Sequence, residues 1–283
     1  MSNHSRPSPN ESINAMQTGE IPVFRTRFSR TVSAIRFPLW TALLGAVLCV
    51  AGWVVRADEP MTAAAYEANP AAMIEAYRHV EVASVSDAME QTLHQKRYMS
   101  HRMQAIFSTK FAGFAVTVKL KKEENHDPDA LNGMLQAIDT GKPGSVFVMD
   151  VEDGADIAGM GGLMGTAMLS RNFAGAVIDG GVRDLPQLKK IGFPVYALGP
   201  VPSTSVGHYR FGGADLPITC DGVPVKPGDV VAADQDGVVV VPRESAAQIL
   251  VQAQKLDFSE HSMYAVIEKY RSIEEAVRKF GRL

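Results

Sequence analysis

The pattern of apolar and polar positions divides the chain into three parts. Residues 37–55 form an apolar run without a charged side chain. Residues 145–198 alternate between short apolar runs, glycine turns and helical segments, which predicts parallel strands in an α/β layer arrangement. After residue 199 the apolar runs become short and are separated by Asp-Gly and Pro-Gly pairs, which predicts β-strands joined by tight turns.

These runs predict a specific set of elements. Helical structure is expected at 71–97, where Ser84 or Ser86 with Asp87 could cap a second helix. Helices are also expected at 127–139, from the glycine turn near 161 to about 172, at 183–190, and at 244–282 with a break near 258–259. Strands are expected at 111–120, 145–151, 174–179, 193–198, 216–220, 223–225, 230–234 and 237–241. Residues 202–213 are predicted to be a loop, because they are rich in glycine and serine.

The same pattern predicts four segments. Residues 1–57 form a basic segment with a signal peptide or membrane anchor, and residues 58–75, which begin with an Ala- and Pro-rich stretch, form a linker. Residues 76–245 form the α/β domain, and residues 246–283 form a C-terminal helical extension.

The apolar run at 37–55 has two main interpretations. It is long enough to span a bilayer as a transmembrane helix. It also fits a signal peptide, because Val55-Arg56-Ala57 places small residues before a cut after Ala57. The preceding arginines then predict that the main domain is exported to the periplasm or secreted, or anchored in the inner membrane. A start codon assigned upstream of a cytosolic protein is the third alternative.

Charge and cysteine content narrow the function classes. The chain has 283 residues, of which 46% are apolar and 21% charged, as in ordinary globular proteins. Residues 1–57 hold six arginines and two glutamates, whereas the rest holds 22 basic and 29 acidic side chains. No nucleic acid partner is therefore expected for the main domain. Because Cys49 lies in the apolar run, Cys220 is expected to be a buried thiol without a disulfide.

Two loops carry the candidate chemistry. Residues 161–164 enter a helix through two glycines, so backbone N–H groups there can approach a carboxylate or phosphate closely. Arg183 and Asp184 follow a predicted strand, where ligand sites of α/β sheets gather. The guanidinium matches a carboxylate in a bidentate manner, and the Asp184 oxygens suit Mg²⁺ or Mn²⁺. The alternatives are a purely structural turn and a surface ion pair at a helix start.

Three separated segments resemble a known family in the same order. They are GGLMGTAMLSRNFAGAVIDGGVRD at 161–184, IGFPVYALGPVPST at 191–204 and PITCDGVPVKPGDVVAADQDGVVVVPRE at 217–244. On these segments the chain resembles the regulator-of-ribonuclease-activity-A-like proteins and 4-hydroxy-4-methyl-2-oxoglutarate aldolases. Weaker similarity at Val85-Ser86-Asp87-Ala88 extends the resemblance over about residues 80–245.

The resemblance implies a fold and a function. The implied fold is a layered α/β sandwich with a mixed sheet, short C-terminal strands and terminal helices, assembled as a homotrimer with sites between subunits. The implied function is that of a divalent-metal-dependent carbon–carbon lyase on small 2-oxo acids, either an aldolase or an oxaloacetate decarboxylase. A non-catalytic ligand-binding or regulatory protein of the same family is the alternative.

The resemblance also implies roles for individual residues. Arg183 and Asp184 would be catalytic: Arg183 would bind the substrate, and Asp184 would hold Mg²⁺ or Mn²⁺ directly or through water. The substrate's carboxylate and carbonyl end would be bound by the backbone of Gly161, Gly162, Leu163 and Met164.

One position departs from the family pattern. Aldolases of this family place an acidic residue twenty-one positions before the arginine, and here that position is Gly162. Without that acid, decarboxylation is expected to be less affected than retro-aldol cleavage, because the enolate is its main requirement. Asp153, Asp156 and His208 are candidates for a substitute acid or base.

Overall fold

The computed structural model describes residues 61–107 and 110–281. Within these residues nine strands form one mixed sheet and two more form a separate hairpin. The strands are β1 Gln104–Ala105, β2 Phe111–Lys122, β3 Val146–Val151, β4 Ala158–Met160, β5 Gly175–Val182, β6 Val195–Pro200, β7 Tyr209–Ala214, β8 Ile218–Cys220, β9 Val223–Val225, β10 Val230–Asp234 and β11 Gly237–Val241.

Helices precede, interrupt and follow the strands. A short 3-10 helix at Arg243–Ser245 leads into the longest of them. The α-helices are α1 Ala63–Ala68, α2 Pro70–His79, α3 Val82–Leu93, α4 Asn132–Thr140, α5 Gly162–Ser170, α6 Leu185–Ile191, α7 Ala246–Tyr270 and α8 Ile273–Phe280.

The long strand β2 joins the parallel and antiparallel parts of the sheet. The main strand order is β1-β6-β5-β3-β2-β10-β11, with β4 beside β5 and β7 beside β2. Parallel pairs link β2, β3, β5 and β6 in turn, and β4 runs parallel to β5. The pairs made by β7, β10 and β11 are antiparallel. This mixed sheet with helices confirms the predicted α/β class.

The apolar residues form separate clusters that hold the helices against the sheet. One cluster lies under α4, α5 and α6 and includes Met149, Met168 and Leu188. Another includes Tyr196 of β6 and Cys220 of β8, which is fully buried as predicted. Burial also raises the pKa of the Cys220 thiol well above its ordinary value, because the thiolate would be desolvated. The loops that follow the carboxyl ends of β4 and β5 are therefore supported by a packed core.

Two predicted loop or linker segments are ordered elements. Residues 202–213 were expected to form a loop, but Tyr209–Ala214 is strand β7, antiparallel to β2. The prediction is wrong because the segment was assigned to a loop on its glycine and serine content, whereas Gly212 lies in the strand, where a Cβ would be 3.2 Å from the Lys119 carbonyl oxygen. Within the expected linker, residues 63–68 form α1, and Tyr66 is buried in the core.

The helix bounds also differ from the predicted ones. The helical stretch predicted at 71–97 contains a second helix as expected, but this helix begins at Val82 and not after Ser84 or Ser86. The helix predicted from 127 begins at Asn132. The predicted break near 258–259 does not occur, since α7 continues to Tyr270. The chain turns at Arg271, whose φ is 53°, and the Ser272 hydroxyl then caps α8 by accepting a hydrogen bond from Glu275 N.

The prediction of a transmembrane helix, and of membrane attachment through it, is corrected by the structure. Across residues 61–107 and 110–281, no helix combines the length and apolar character needed to cross a bilayer. The run at 37–55, on which that prediction was based, lies outside the described residues. Export from the cytoplasm, which depends on the same run, stays a prediction.

Candidate active site

The glycine turn connects β4 to α5 beside the end of β5. Gly161 precedes the helix, and its carbonyl oxygen accepts the first helical hydrogen bond, from Gly165 N at 3.1 Å. The N–H groups of Leu163 and Met164 come before this bond and have no hydrogen-bond acceptor among the described residues, so they can donate to a ligand. A Cβ at Gly161 would lie 2.6 Å from Asp184 Oδ2, so a side chain at this position would push the carboxylate away from Gly162 N.

Arg183 and Asp184 immediately follow β5 and face the same turn. Asp184 has a φ of 59° and begins α6, and its Oδ2 accepts a hydrogen bond from Gly162 N at 2.9 Å. Arg183 donates through Nη1 to the Ser203 carbonyl oxygen at 3.0 Å, and its Nε lies 4.0 Å from Asp184 Oδ2. Both side chains are about half exposed, so they can reach a ligand without being buried in the core.

A cavity of about 270 Å³ lies where the two loops meet. Of the sequence-predicted site residues, Gly161, Leu163, Met164, Arg183 and Asp184 line it. The remaining walls come from β4, from the loop before α4, from α4 and from residues 204–207. The structure therefore brings together the two loops that the sequence singled out. Which role each residue has in turnover stays a prediction.

Comparison of the sequence with protein families decides the classification. The sequence model of the RraA-like family, described as Aldolase/RraA, matches residues 82–240, which is more than half of the chain. The chain belongs to the RraA-like family. The family resemblance predicted from residues 161–244 is thereby confirmed.

Sequence relatives of this RraA-like protein carry aldolase names. A protein of Halalkalibacterium halodurans named "Putative 4-hydroxy-4-methyl-2-oxoglutarate aldolase" is 33% identical over 122 residues, which is 43% of this chain and 58% of that protein. The match thus spans less than two thirds of that relative. A protein of the same name from Albidiferax ferrireducens is 36% identical over 133 residues, covering 46% of this chain and 75% of the relative.

Solved structures share the fold. A protein of Pseudomonas syringae pv. tomato is 25% identical with a TM-score of 0.67, covering 74% of this chain and 93% of that one. Streptomyces coelicolor RraAS2, described as an unusual member of the RNase ES inhibitor RraA protein family, is 24% identical with a TM-score of 0.61, covering 70% and 96%. These two structures show that the chain shares its fold with proteins of both organisms.

Gly162 differs in position from the other predicted ligand-binding residues of this RraA-like chain. It does not line the cavity between the two loops and faces a shallow depression formed with Leu163, Thr166 and Gln187. A Cβ at position 162 would lie 2.9 Å from Gln187 Cγ. The glutamine side chain therefore occupies the space into which an acidic side chain at position 162 would extend.

The three candidates for a substitute acid or base lie outside the cavity. Asp153 lines a different, polar depression together with Asp179. Asp156 contacts Ser203, the residue that positions Arg183, through its backbone carbonyl oxygen, which accepts a hydrogen bond from Ser203 Oγ at 3.0 Å. His208 is exposed and pairs with Glu124 at 2.8 Å. None of the three is within the described lining of the cavity.

Asp127 is the carboxylate that the sequence interpretation missed. It lines the cavity, and its Oδ2 accepts a hydrogen bond from Arg210 Nη1 at 2.7 Å. The Arg210 guanidinium holds the pKa of this carboxyl below its ordinary value. Asp127 was read only as a helix start, and no local signal connected it to Arg183. It lies in this site because β7 brings Arg210 beside the start of α4.

Asp184 fits the requirement for a hard cation. Its Oδ2 already accepts a hydrogen bond from Gly162 N, whereas its Oδ1 makes no hydrogen bond with the described residues. The side chain is half exposed. One carboxylate oxygen completed by waters is a common arrangement for Mg²⁺. A second group of suitable ligand atoms belongs to Glu81, directly before α3, and to Asp257 and His261 of α7. These atoms lie within 4.8 Å of one another, and none of the three residues lines this cavity.

Proposed function

We propose that this RraA-like protein is a divalent-metal-dependent carbon–carbon lyase that acts on small 2-oxo acids and releases pyruvate. The observation that carries the proposal is the shared cavity, where unpaired N–H groups at the start of α5 meet the Arg183 guanidinium and the Asp184 carboxylate. The aldolase names of the relatives support the same reaction class.

Some of the site residues would bind the substrate, and others position the residues that bind it. The Leu163 and Met164 N–H groups and the Arg183 guanidinium would bind the substrate's C1 carboxylate and 2-oxo group, because these donors offer two hydrogen-bonding directions in one cavity. The Ser203 carbonyl oxygen positions Arg183 by accepting a hydrogen bond from its Nη1. Asp184 Oδ1 would hold Mg²⁺ or Mn²⁺, and the cation would supply Lewis-acid polarisation of the 2-oxo group and stabilise the enolate.

Decarboxylation of oxaloacetate is the reaction that this residue set supports best. The C3–C4 bond breaks, CO₂ leaves, the electron pair remains on the pyruvate enolate, and C3 then takes a proton from water. No side chain has to remove a proton before the bond breaks. Retro-aldol cleavage needs a base for the 4-hydroxyl proton, and Gly162 cannot provide one.

A coupled assay tests the proposal. Oxaloacetate and Mg²⁺ are added to the purified protein, and pyruvate formation is followed with lactate dehydrogenase, with a reaction lacking the protein as the background because free cations also decarboxylate oxaloacetate. We expect a rate that is proportional to protein concentration and abolished by EDTA. A rate equal to the background with oxaloacetate and with a panel of 4-hydroxy-2-oxo acids would remove the lyase proposal.

The second candidate function is ligand binding without turnover. The observation that favours it is the combination of an intact Arg183–Asp184 pair with glycine at position 162. In that case pyruvate and Mg²⁺ would bind together in calorimetry, and binding would be lost in an Asp184→Asn variant, while no substrate would be consumed. The two functions are thus separated by whether product forms.

A further inference from the structure

The side chain of Arg183 depends on one hydrogen bond for its orientation. Its Nη1 donates to the Ser203 carbonyl oxygen at 3.0 Å, and this is the single hydrogen bond that the guanidinium makes with the described residues. The distance of 4.0 Å from Nε to Asp184 Oδ2 is too long for another. Because the side chain is 42% exposed, it could otherwise adopt several rotamers, and fixing one of them when a ligand binds would cost entropy. The position of the Ser203 carbonyl group therefore decides where the guanidinium points.

The Ser203 hydroxyl fixes that carbonyl group in place. Ser203 Oγ donates a hydrogen bond to the Asp156 carbonyl oxygen at 3.0 Å and accepts one from Ala158 N at 2.9 Å. A hydroxyl can make both bonds at once, because it carries a donor hydrogen and acceptor lone pairs. Both partners are backbone groups, so their directions do not change with side-chain rotamers. The hydroxyl thus attaches the loop after β6 to the segment that leads into β4.

That segment is itself attached to β5, the strand that precedes the arginine. The Ile157 carbonyl oxygen accepts a hydrogen bond from Gly181 N at 2.8 Å. On the other side of the strand, Val201 N donates to the Val182 carbonyl oxygen at 2.9 Å. Ser203 is therefore held relative to β5 through two connections, and the carbonyl that orients the guanidinium is fixed relative to the arginine's own backbone.

We infer that the Ser203 hydroxyl is a positioning group for substrate binding, which raises the affinity for the C1 carboxylate of a 2-oxo acid by holding Arg183 in its binding orientation. Ser203 does not line the cavity, so the hydroxyl acts through the arginine and not by touching the ligand. The inference rests on the proposed function for the placement of the carboxylate at Arg183. All of the contacts lie within one chain, so they do not depend on residues from a neighbouring subunit.

A binding experiment tests the role of the hydroxyl without requiring turnover. Ser203→Ala removes both hydrogen bonds of the hydroxyl and keeps the carbonyl group. Pyruvate is titrated into the full chain with Mg²⁺, and its methyl signal is followed by ligand-observed NMR, which also measures millimolar dissociation constants. We expect Ser203→Ala to weaken pyruvate binding about three- to tenfold, because the ligand must then order the arginine side chain. Unchanged pyruvate affinity would overturn the inference.

Two further serine variants complete this comparison. In Ser203→Cys the thiol is a weak donor and acceptor, so pyruvate affinity should fall between the serine and alanine values. An affinity equal to that of the wild type would contradict the inference. Ser262→Ala is the matched control, because Ser262 Oγ also donates to a backbone carbonyl, that of Phe258 at 2.7 Å, but lies on α7 and does not line the cavity. It should leave pyruvate affinity unchanged.

A double-mutant cycle tests whether the effect passes through Arg183. Arg183→Met keeps a long side chain and removes the guanidinium, so the Ser203 carbonyl loses the group that it orients. In this background Ser203→Ala should change pyruvate affinity by less than about twofold, since coupled residues give non-additive effects. An equal loss in both backgrounds would show that the hydroxyl acts on the fold in general, and it would overturn the positioning role.

Turnover distinguishes this inference from the proposed function. Pyruvate release from oxaloacetate is measured in the same preparations, and Ser203→Ala is expected to raise KM more than it lowers kcat, because the carboxylate is bound in the ground state and the transition state alike. A loss of pyruvate affinity that depends on Arg183, without any turnover, would refute the lyase and leave the positioning role standing. Turnover with a loss that is independent of Arg183 would do the reverse. Absence of both pyruvate binding and turnover in the wild-type protein would refute both.

Discussion

Asp184 has two separable roles, and substitutions at this one position can tell them apart. Its Oδ2 accepts a hydrogen bond from Gly162 N, and its backbone lies in the left-handed region at a φ of 59°. Its Oδ1 is the proposed metal ligand. Asp184→Asn keeps an acceptor oxygen and a residue type that tolerates this backbone region, but it removes the charge. Asp184→Ala removes all three properties.

The structure gives a magnitude for each variant. In Asp184→Ala the lost hydrogen bond to Gly162 N contributes about 1 kcal/mol, and the left-handed backbone costs alanine about 1 kcal/mol more than aspartate. The resulting loss of about 2 kcal/mol corresponds to a fall in Tm of about 4–8 °C for a domain of this size. Asp184→Asn should change the free energy of unfolding by less than about 0.5 kcal/mol.

Two assays together check this reasoning. Thermal unfolding is followed by circular dichroism, and Mg²⁺-dependent pyruvate formation from oxaloacetate is followed in the same preparations. We expect both variants to lose at least about a hundredfold in activity, equal to about 2.7 kcal/mol of transition-state stabilisation, whereas Asp184→Ala alone loses thermal stability. Asp215, which is exposed and has a φ of 51°, is the control, and its alanine variant should lose stability without losing activity. Asp184→Asn activity within about twofold of the wild-type value would refute the metal-ligand role.

Three further predictions follow from particular contacts. Gly162→Glu combined with Gln187→Ala should raise pyruvate release from 4-hydroxy-4-methyl-2-oxoglutarate by at least about tenfold. The glutamate supplies a base, and the alanine empties the space that the Gln187 side chain fills. Gln187→Ala alone is the control, and no gain in the double variant would contradict the prediction. Arg183→Lys should raise the KM for oxaloacetate about tenfold or more, because lysine lacks the planar guanidinium that binds a carboxylate in a bidentate manner. An unchanged KM would exclude Arg183 as the ligand of the substrate carboxylate. The pKa of His261 is raised above 6.5, chiefly by its hydrogen bond to the Asp257 carbonyl. The protonated His261 side chain therefore stabilises the folded protein below pH 6.5, and this stabilisation is lost as the pH rises through the raised pKa. His261→Gln should accordingly lower Tm at pH 6 and not at pH 9, and equal shifts at both would refute the linkage.

The elements that could be predicted from the sequence are those with a strong local signal. The buried strand Val146–Val151 and the hairpin strands Val230–Asp234 and Gly237–Val241 lie where the apolar runs and turn pairs indicate. Strand Tyr209–Ala214 was missed, because Gly212 is explained by close approach to β2 and not by a turn. Local pattern carries no information about such a neighbour.

The sequence by itself determined the α/β class, through local alternation of apolar runs and turns, and the family, through motifs that match in order. The pairing of the glycine turn with Arg183 and Asp184 was what the family resemblance implied. The tertiary structure decided what surrounds that pair. It brought Asp127 and Leu135 into the cavity, placed Gln187 beside Gly162, and kept the expected substitute acids outside. These contacts join residues that are distant in sequence, so they are set by strand pairing and helix packing, which a local pattern of apolar and polar residues does not specify.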